Sequence, residues 1–366
     1  MTRGFSRTAW IFYTFIVFEI LFMISPFALY YYSAYGLPLE YLQNNKRTAW
    51  LVQFILPHYS YSGNTFINRH NEIGWLLIMA GLILFIGGFC QIYHAKILRK
   101  KEVSGGLYRF IRHPQYVSLA ILGLGTFLVY PRFIILITFV SMIFIYTYLA
   151  RMEEKECLEK FGGSYADYMA TTGMFFPRLN TAGDVHVPEA TLDPRKGTPP
   201  IFGIMLLYAA IITSTVVCGF AVRNYSLSTL ASFSCDSAFV ISLVSMRNDA
   251  IKEIYETILR SDAGRMLKSS GKYLVYILPE EWHVPELPVS FQQEHVKPDA
   301  YGGNIYKVLI ASAVGEVEQA KGEVIFRKAT GFNAHALVYI NKKQNTIVKV
   351  VEPPRAKWTG IAAPLF

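Results

Sequence analysis

Charge is scarce in this chain of 366 residues: Asp, Glu, Lys and Arg together make up 17%, against 52% hydrophobic residues. Soluble domains carry about 25% charged residues, so an ordinary water-soluble fold is excluded for at least part of the chain. Cysteine is scarcer still, with four residues, no CxxC pair, and Cys90 and Cys218 set inside apolar runs. That excludes a disulfide framework and the usual zinc spacings. The eight histidines show no ligand spacing, so no metal site is expected. No GxGxxG opens a helix after a strand, which removes the dinucleotide-binding fold. Internal repeats are also lacking.

What the chain has instead is long apolar runs. A helix needs about 20 apolar residues to cross a bilayer. "AWIFYTFIVFEILFMISPFALYYY" (9–32, with Glu19 inside it), "IGWLLIMAGLILFIGGFCQIY" (73–93) and "PIFGIMLLYAAIITSTVVCGFAV" (200–222) qualify. Residues 114–130 and 133–150 form two shorter runs around Tyr130-Pro131-Arg132, a break that proline enforces. Arg3 and Arg7 precede the first run, but it is too long for a signal core and has no clear small-residue cleavage site. The reading is a retained span, and about five spans in all.

The formal charge of +9 flanks these runs. It therefore sets topology and does not point to nucleic acid. With a cytoplasmic N-terminus, the inside segments before the first run, at 94–112 and at 151–199 carry 14 Lys+Arg. The membrane-adjacent outside positions carry five. Residues 114–150 then form a hairpin entered from the cytoplasm. Residues 178–200, rich in Pro, Gly, Thr and Asp, read as a linker.

The last 130 or so residues have another pattern. "NDAIKEIYETILRSDAGRML" reads as an amphipathic helix. "KYLVYIL", "NIYKVLIASAV", "GEVIFRKA", "AHALVYI" and "NTIVKVVEP" read as strands, with "NKKQN" as a hairpin turn. The expected fold class is an all-α polytopic membrane core, about five transmembrane helices including a helical hairpin, followed by a small α+β extramembrane C-terminal domain. The expected divisions are 1–72 (first span and outer loop), 73–200 (core with a cytoplasmic pocket), 201–222 (fifth span) and 223–366 (extramembrane domain).

Polar residues concentrate at the two ends of the hairpin. "GGLYRFIRHPQY" (105–116) enters it and "RMEEKECLEKFGGSYADYMATTGMFFPR" (151–178) leaves it. If the hairpin closes, roughly 40 intervening residues bring a cationic, aromatic and carboxylate-bearing pocket together at the membrane surface. Taken singly, each feature has an ordinary explanation: basic flanks, a solvated helix face, an aromatic belt.

The fixed order of the two segments, G-x-Y-x-x-x-R-H-P-x-Y, span-turn-span, then E-E-x-x-x-L-x-x-x-F-G-x-x-Y-x-x-Y, resembles the isoprenylcysteine carboxyl methyltransferase and phospholipid methyltransferase superfamily of integral membrane enzymes, over about residues 73–178. Ser118 stands near Tyr116 where a glycine is often seen. The resemblance implies methyl transfer dependent on S-adenosylmethionine (SAM). It places Gln91, Lys100, Lys101, Glu102, Val103, Tyr108, Arg112, His113, Pro114, Tyr116 and Glu154 at the cofactor, and Arg151, Glu153, Glu154 and His113 at the chemistry. Arg112 and His113 are expected on the SAM carboxylate, beside the helix that Pro114 starts. Of Glu153 and Glu154, adjacent on a helix and about 100° apart, one is expected to face the pocket.

The implied acceptor is lipophilic: an isoprenylcysteine carboxylate, a phospholipid amine or a small thiol. The implied location is a multi-pass position in a bacterial inner membrane, or in the endoplasmic reticulum of a eukaryote. The rival reading is a non-catalytic scaffold that keeps the fold and binds a protein partner through residues 223–366. The charge bias makes one expectation directly measurable: Asn345→Cys should react with a membrane-impermeant thiol reagent applied to intact cells. Labelling only after the membrane is broken would reverse the orientation.

Overall fold

In the computed structural model, the described residues are 17–18, 21, 23–31, 41–42, 45, 47–58, 60–98, 105–178, 201–265, 267, 271–280 and 304–353. Contacts divide the chain into two units. The first comprises Met1–Gly36, His70–Tyr130 and Ile134–Cys218; the second Leu37–Arg69, Pro131–Phe133 and Gly219–Phe366.

The first unit is helical. Its described elements are a leading helix at 23–31, α1 (His70–Leu98), α2 (Pro114–Val129), α3 (Phe133–Phe161), α4 (Gly163–Thr171) and most of α5 (Ile201–Ser228). Three of these helices, α1, α3 and α5, are long and apolar enough to cross a membrane, and α2, with 16 residues, is shorter. The chain thus has a mostly helical membrane part, with three such helices among the described residues. Of the first apolar run, residues 23–31 are helical, and Glu19 lies outside the described residues. The expected break falls at 130–132, between α2 and α3.

Lipid gives no hydrophobic drive for one apolar helix to pack on another, so close backbone approach has to supply the attraction. Glycine provides it here. A Cβ on Gly74 would sit 2.8 Å from the Gly125 carbonyl, and one on Gly81 2.6 Å from the Leu122 amide. Gly88, seven residues further on, faces Pro114 and Gln115. This stripe along α1 sets the α1–α2 spacing. On the other side of α2, Gly123 admits Met142 and Phe139 of α3. The leading helix joins through Tyr30, whose hydroxyl donates to the Gly123 carbonyl at 2.6 Å. α5 is tied to α3 by Ser141 Oγ and Tyr208 OH, 2.7 Å apart.

The second unit is a six-stranded sheet in the order β1 (Ser232–Ser234), β2 (Ala238–Ser242), β3 (Tyr273–Pro279), β4 (Ile305–Gly315), β5 (Ala329–Asn341) and β6 (Ile347–Val351). All neighbours are antiparallel except β2 and β3. The parallel pair needs a crossover, and α6 (Asn248–Leu259) supplies it. Its Ile251, Ile254, Tyr255 and Ile258 cover the sheet face formed by Val240, Val275, Ile277, Val308 and Val338. The opposite face carries Leu274, Tyr276, Leu309 and Leu337, and packs Phe54, Leu227, Ile325 and Phe326. Residues 53–63 are part of this unit. The Ile55 amide donates to the Pro131 carbonyl, the Gly63 amide to Thr229 and the Ala231 amide to the Tyr61 carbonyl.

One expected strand is a helix. Within "GEVIFRKA", residues Glu323–Lys328 form α7. Glu323 lies in its first turn and Arg327 and Lys328 in its last, where they oppose the helix dipole. Glu323 and Arg327 also pair one turn apart, at 2.6 Å. The apolar Val-Ile-Phe run hid these end charges. Strands β1 and β2 were not expected. The "NKKQN" turn forms, with the Lys343 and Gln344 amides donating to Asn341 Oδ1. Asn345 has φ 49°, so Gln344→Cys carries the topology label with less strain.

The glycine stripe can be tested by a matched pair. Gly81→Ala should destabilise the protein in detergent by about 1–3 kcal/mol through overpacking. In Gly87→Ala the new methyl meets only Leu107 Cδ1, at 3.7 Å, so its thermal midpoint should be unchanged or higher.

Candidate functional site

The entry to α2 and the exit from α3 meet. The chain at 111–113 lies beside 173–174 in a short parallel bridge, Ile111 to Gly173. The Arg112 amide donates to the Gly173 carbonyl at 2.9 Å, and the His113 amide to that of Met174 at 3.2 Å. The Tyr168 hydroxyl of α4 donates to the Tyr108 carbonyl. Backbone pairing thus fixes the heights of the two polar segments before any side chain is considered.

Gln91 of α1 locks the turn before α2. Its Oε1 accepts from the Leu107 amide at 3.1 Å. Gly106 lies against it with φ 61°, where a Cβ would collide with the Gln91 side chain. Only glycine combines that backbone angle with that approach. The structure therefore places Gln91 on the turn that presents Tyr108 and Arg109. Lys100, Lys101, Glu102 and Val103 lie outside the described residues.

The side-chain cluster centres on Glu154, which is buried. Its Oε1 accepts from Arg112 Nε at 2.7 Å and lies 3.2 Å from His113 Nε2. Arg112 Nη1 also donates to the carbonyls of Met169 and Thr172. On the other edge of the imidazole, His113 Nδ1 faces Glu153 Oε2 at 3.4 Å. The Tyr116 hydroxyl donates to Glu153 Oε1. The order is Arg112, Glu154, His113, Glu153, Tyr116: cation and anion alternate and end on a phenol.

This arrangement favours the charged form of His113. Both ring nitrogens face carboxylates, and only the imidazolium donates from both. Burial alone would push its pKa down, but the hydrogen bonds and charges of Glu153 and Glu154 outweigh it and hold the value above 6.5. A raised folded value means that the stabilisation is complete below pH 6.5, the unfolded value. It is lost as the pH climbs through the higher folded one.

Arg112 and His113, both expected on a cofactor carboxylate, are brought together on Glu154. The reason is Glu154: a carboxylate buried to this degree requires charged partners, and these two are its neighbours. Glu153 and Glu154 differ as adjacent helical positions must. The Glu153 side chain is 52% exposed and that of Glu154 10%. Arg151 is exposed, and no ion pair forms on it among the described residues. Tyr108 and Tyr116 are buried. His113 is the N-cap of α2 and Pro114 opens its first turn, which has no side-chain cap.

Two participants escaped the sequence reading. The 169–174 carbonyls carry no side-chain signal. Tyr146 does: it stacks on Tyr116 at 4.8 Å and stands seven residues before Glu153, hence on the same helix face.

Single amide substitutions should separate the two acids. Glu154→Gln should cost about 3 kcal/mol of stability, because it leaves the buried His113 and the largely enclosed Arg112 without their counter-charge. Glu153→Gln should leave the unfolding midpoint nearly unchanged. Thermal unfolding in detergent measures both, and equal losses would contradict the division of roles.

Residues 72–164 match the family model for phospholipid methyltransferases. No curated protein and no solved structure matches the chain. The matched segment runs from α1 through α2 to the end of α3 and contains the whole cluster from Arg112 to Glu154. Over this segment, about a quarter of the chain, the protein is similar to the phospholipid methyltransferases of the isoprenylcysteine/phospholipid methyltransferase superfamily.

Proposed function

We propose that the helical unit transfers a methyl group from SAM to a lipophilic acceptor that reaches the site from the membrane. The supporting observation is the state of Glu153. Of the five side chains in the cluster, His113 and Glu154 are buried and pair with the partly buried Arg112, whereas Glu153 is half exposed and held by Tyr116. A fixed, accessible carboxylate beside aromatic faces suits a ligand that carries positive charge. SAM, when bound, supplies a methyl group already activated on a cationic sulfur, next to an ammonium and a carboxylate.

The donor set fits these groups. Glu153 faces the positive charge. Tyr168, partly buried, offers an aromatic face, and the uncapped first turn of α2 directs backbone amides at an anion. Arg112 and His113 form the frame that keeps α2 and α3 in register. Methyl transfer is an in-line displacement, so the protein contributes mainly proximity and alignment.

An isoprenylcysteine carboxylate needs no base. A phospholipid amine or a thiol must lose a proton first. The His113 imidazolium, donating to two carboxylates, is not placed to take it, so Glu153 is the base of the cluster for such acceptors. The charge bias puts residues 223–366 outside, and we assign that domain to partner binding or assembly.

Membranes containing the protein, incubated with methyl-labelled SAM, should transfer label to a lipid-extractable product, and the Glu153→Gln protein should lose at least tenfold in rate, the order of a general-base contribution or more. Label-free lipid, protein and volatile fractions, together with no SAM binding in detergent or lipid, would favour the scaffold reading.

A further inference from the structure

The cluster ends on Tyr116, but the packing behind it continues. Tyr116 and Tyr146 are both buried, and their rings lie 4.8 Å apart at an interplanar angle of 19°. Tyr146 is seated from the other side. Its hydroxyl donates to the Met23 carbonyl of the leading helix at 3.2 Å. Met23, Tyr30, Leu119, Ile135 and Met142 complete the surrounding apolar packing. Met23 and Tyr30 lie before the segment that matches the methyltransferase family. A phenol on a flexible χ1 axis can donate to Glu153 from more than one rotamer. His113, stacked on it at 5.7 Å and 17°, limits that freedom, and the closer Tyr146 ring limits it further, since offset stacking fixes the ring plane.

We infer that Tyr146 is a positioning residue of the methyl-transfer site: its ring holds Tyr116, and through Tyr116 it fixes Glu153 in the orientation that meets the cationic ligand. This rests on the methyltransferase reading above. Tyr146 touches neither cofactor nor acceptor in this account. The bond to Met23 makes the leading helix, outside the family segment, part of the support for the site. A membrane interior strengthens that bond, because no water competes for the Met23 carbonyl.

The test uses Tyr146→Leu, which removes the stacked face, and Tyr146→Phe, which keeps it. In wild-type background, Tyr146→Leu should lower kcat roughly ten- to hundredfold, the scale of a small misplacement, with the KM for SAM nearly unchanged. Tyr146→Phe should restore most of the rate. In a Glu153→Gln background, Tyr146→Leu should lower kcat no further. A second readout needs no turnover: in thermal unfolding, the losses from Tyr146→Leu and Tyr116→Phe should be non-additive, as for residues in one network. Equal kcat losses in both Glu153 backgrounds, a proportional rise in KM, or additive unfolding losses would each overturn the inference. If wild-type protein transfers no methyl group, the functional reading fails, and the unfolding cycle alone still decides whether Tyr146 positions Tyr116.

Discussion

A buried carboxylate is the constraint on which the helical unit turns. Removing Glu154 from water is costly unless its charge is met at close range. Arg112 and His113 meet it, and they come from the start of a different helix. The hairpin of α2 and α3 must therefore close with its two polar ends level. The backbone bridge at Ile111 and Gly173 and the Arg112 bonds to the 169 and 172 carbonyls hold the same register. Glu153, one residue away and about 100° round the helix, is then presented to solvent as a consequence of where Glu154 points.

That logic separates frame from reagent. The most conspicuous pair in the motif, Arg112-His113, converges on Glu154, and we assign it to the frame. Its side chains face carboxylates inside the protein, and Glu153 and Glu154 hold the His113 pKa above its ordinary value against the effect of burial. On the proposed reading, the site offers a ligand one restrained carboxylate and a helix start. The glycine stripe of α1 serves the same end at longer range. It brings α1 against α2 closely enough for Gln91 to grip the turn at Gly106 and Leu107.

Much of this was legible in the sequence, for identifiable reasons. Apolar run length exposed the helices of the membrane part, and Pro131 marked the break between α2 and α3. The order of the two polar motifs around the hairpin pointed to the segments that the structure brings together at Arg112, His113, Glu153 and Glu154. The internal engagement of Arg112 and His113 was not legible, because it depends on Glu154 being buried. Burial of one of two adjacent acids is decided by helix rotation, not by residue type. Contacts made by the 169–174 carbonyls leave no trace in side-chain identity. In the sheet domain, β1 is only three residues long. Glu323–Lys328 looked like a strand because its apolar centre outweighed the end charges that make it a helix.

The central claim is that Glu153 is the ligand-facing acid and Glu154 the structural one. Titration calorimetry of SAM into purified protein and its Glu153→Gln variant tests it most directly. The account predicts binding to wild type and a loss of about ten- to a hundredfold in affinity on Glu153→Gln, the scale of one charge-assisted hydrogen bond, with the unfolding midpoint preserved. Unchanged affinity in Glu153→Gln would contradict it.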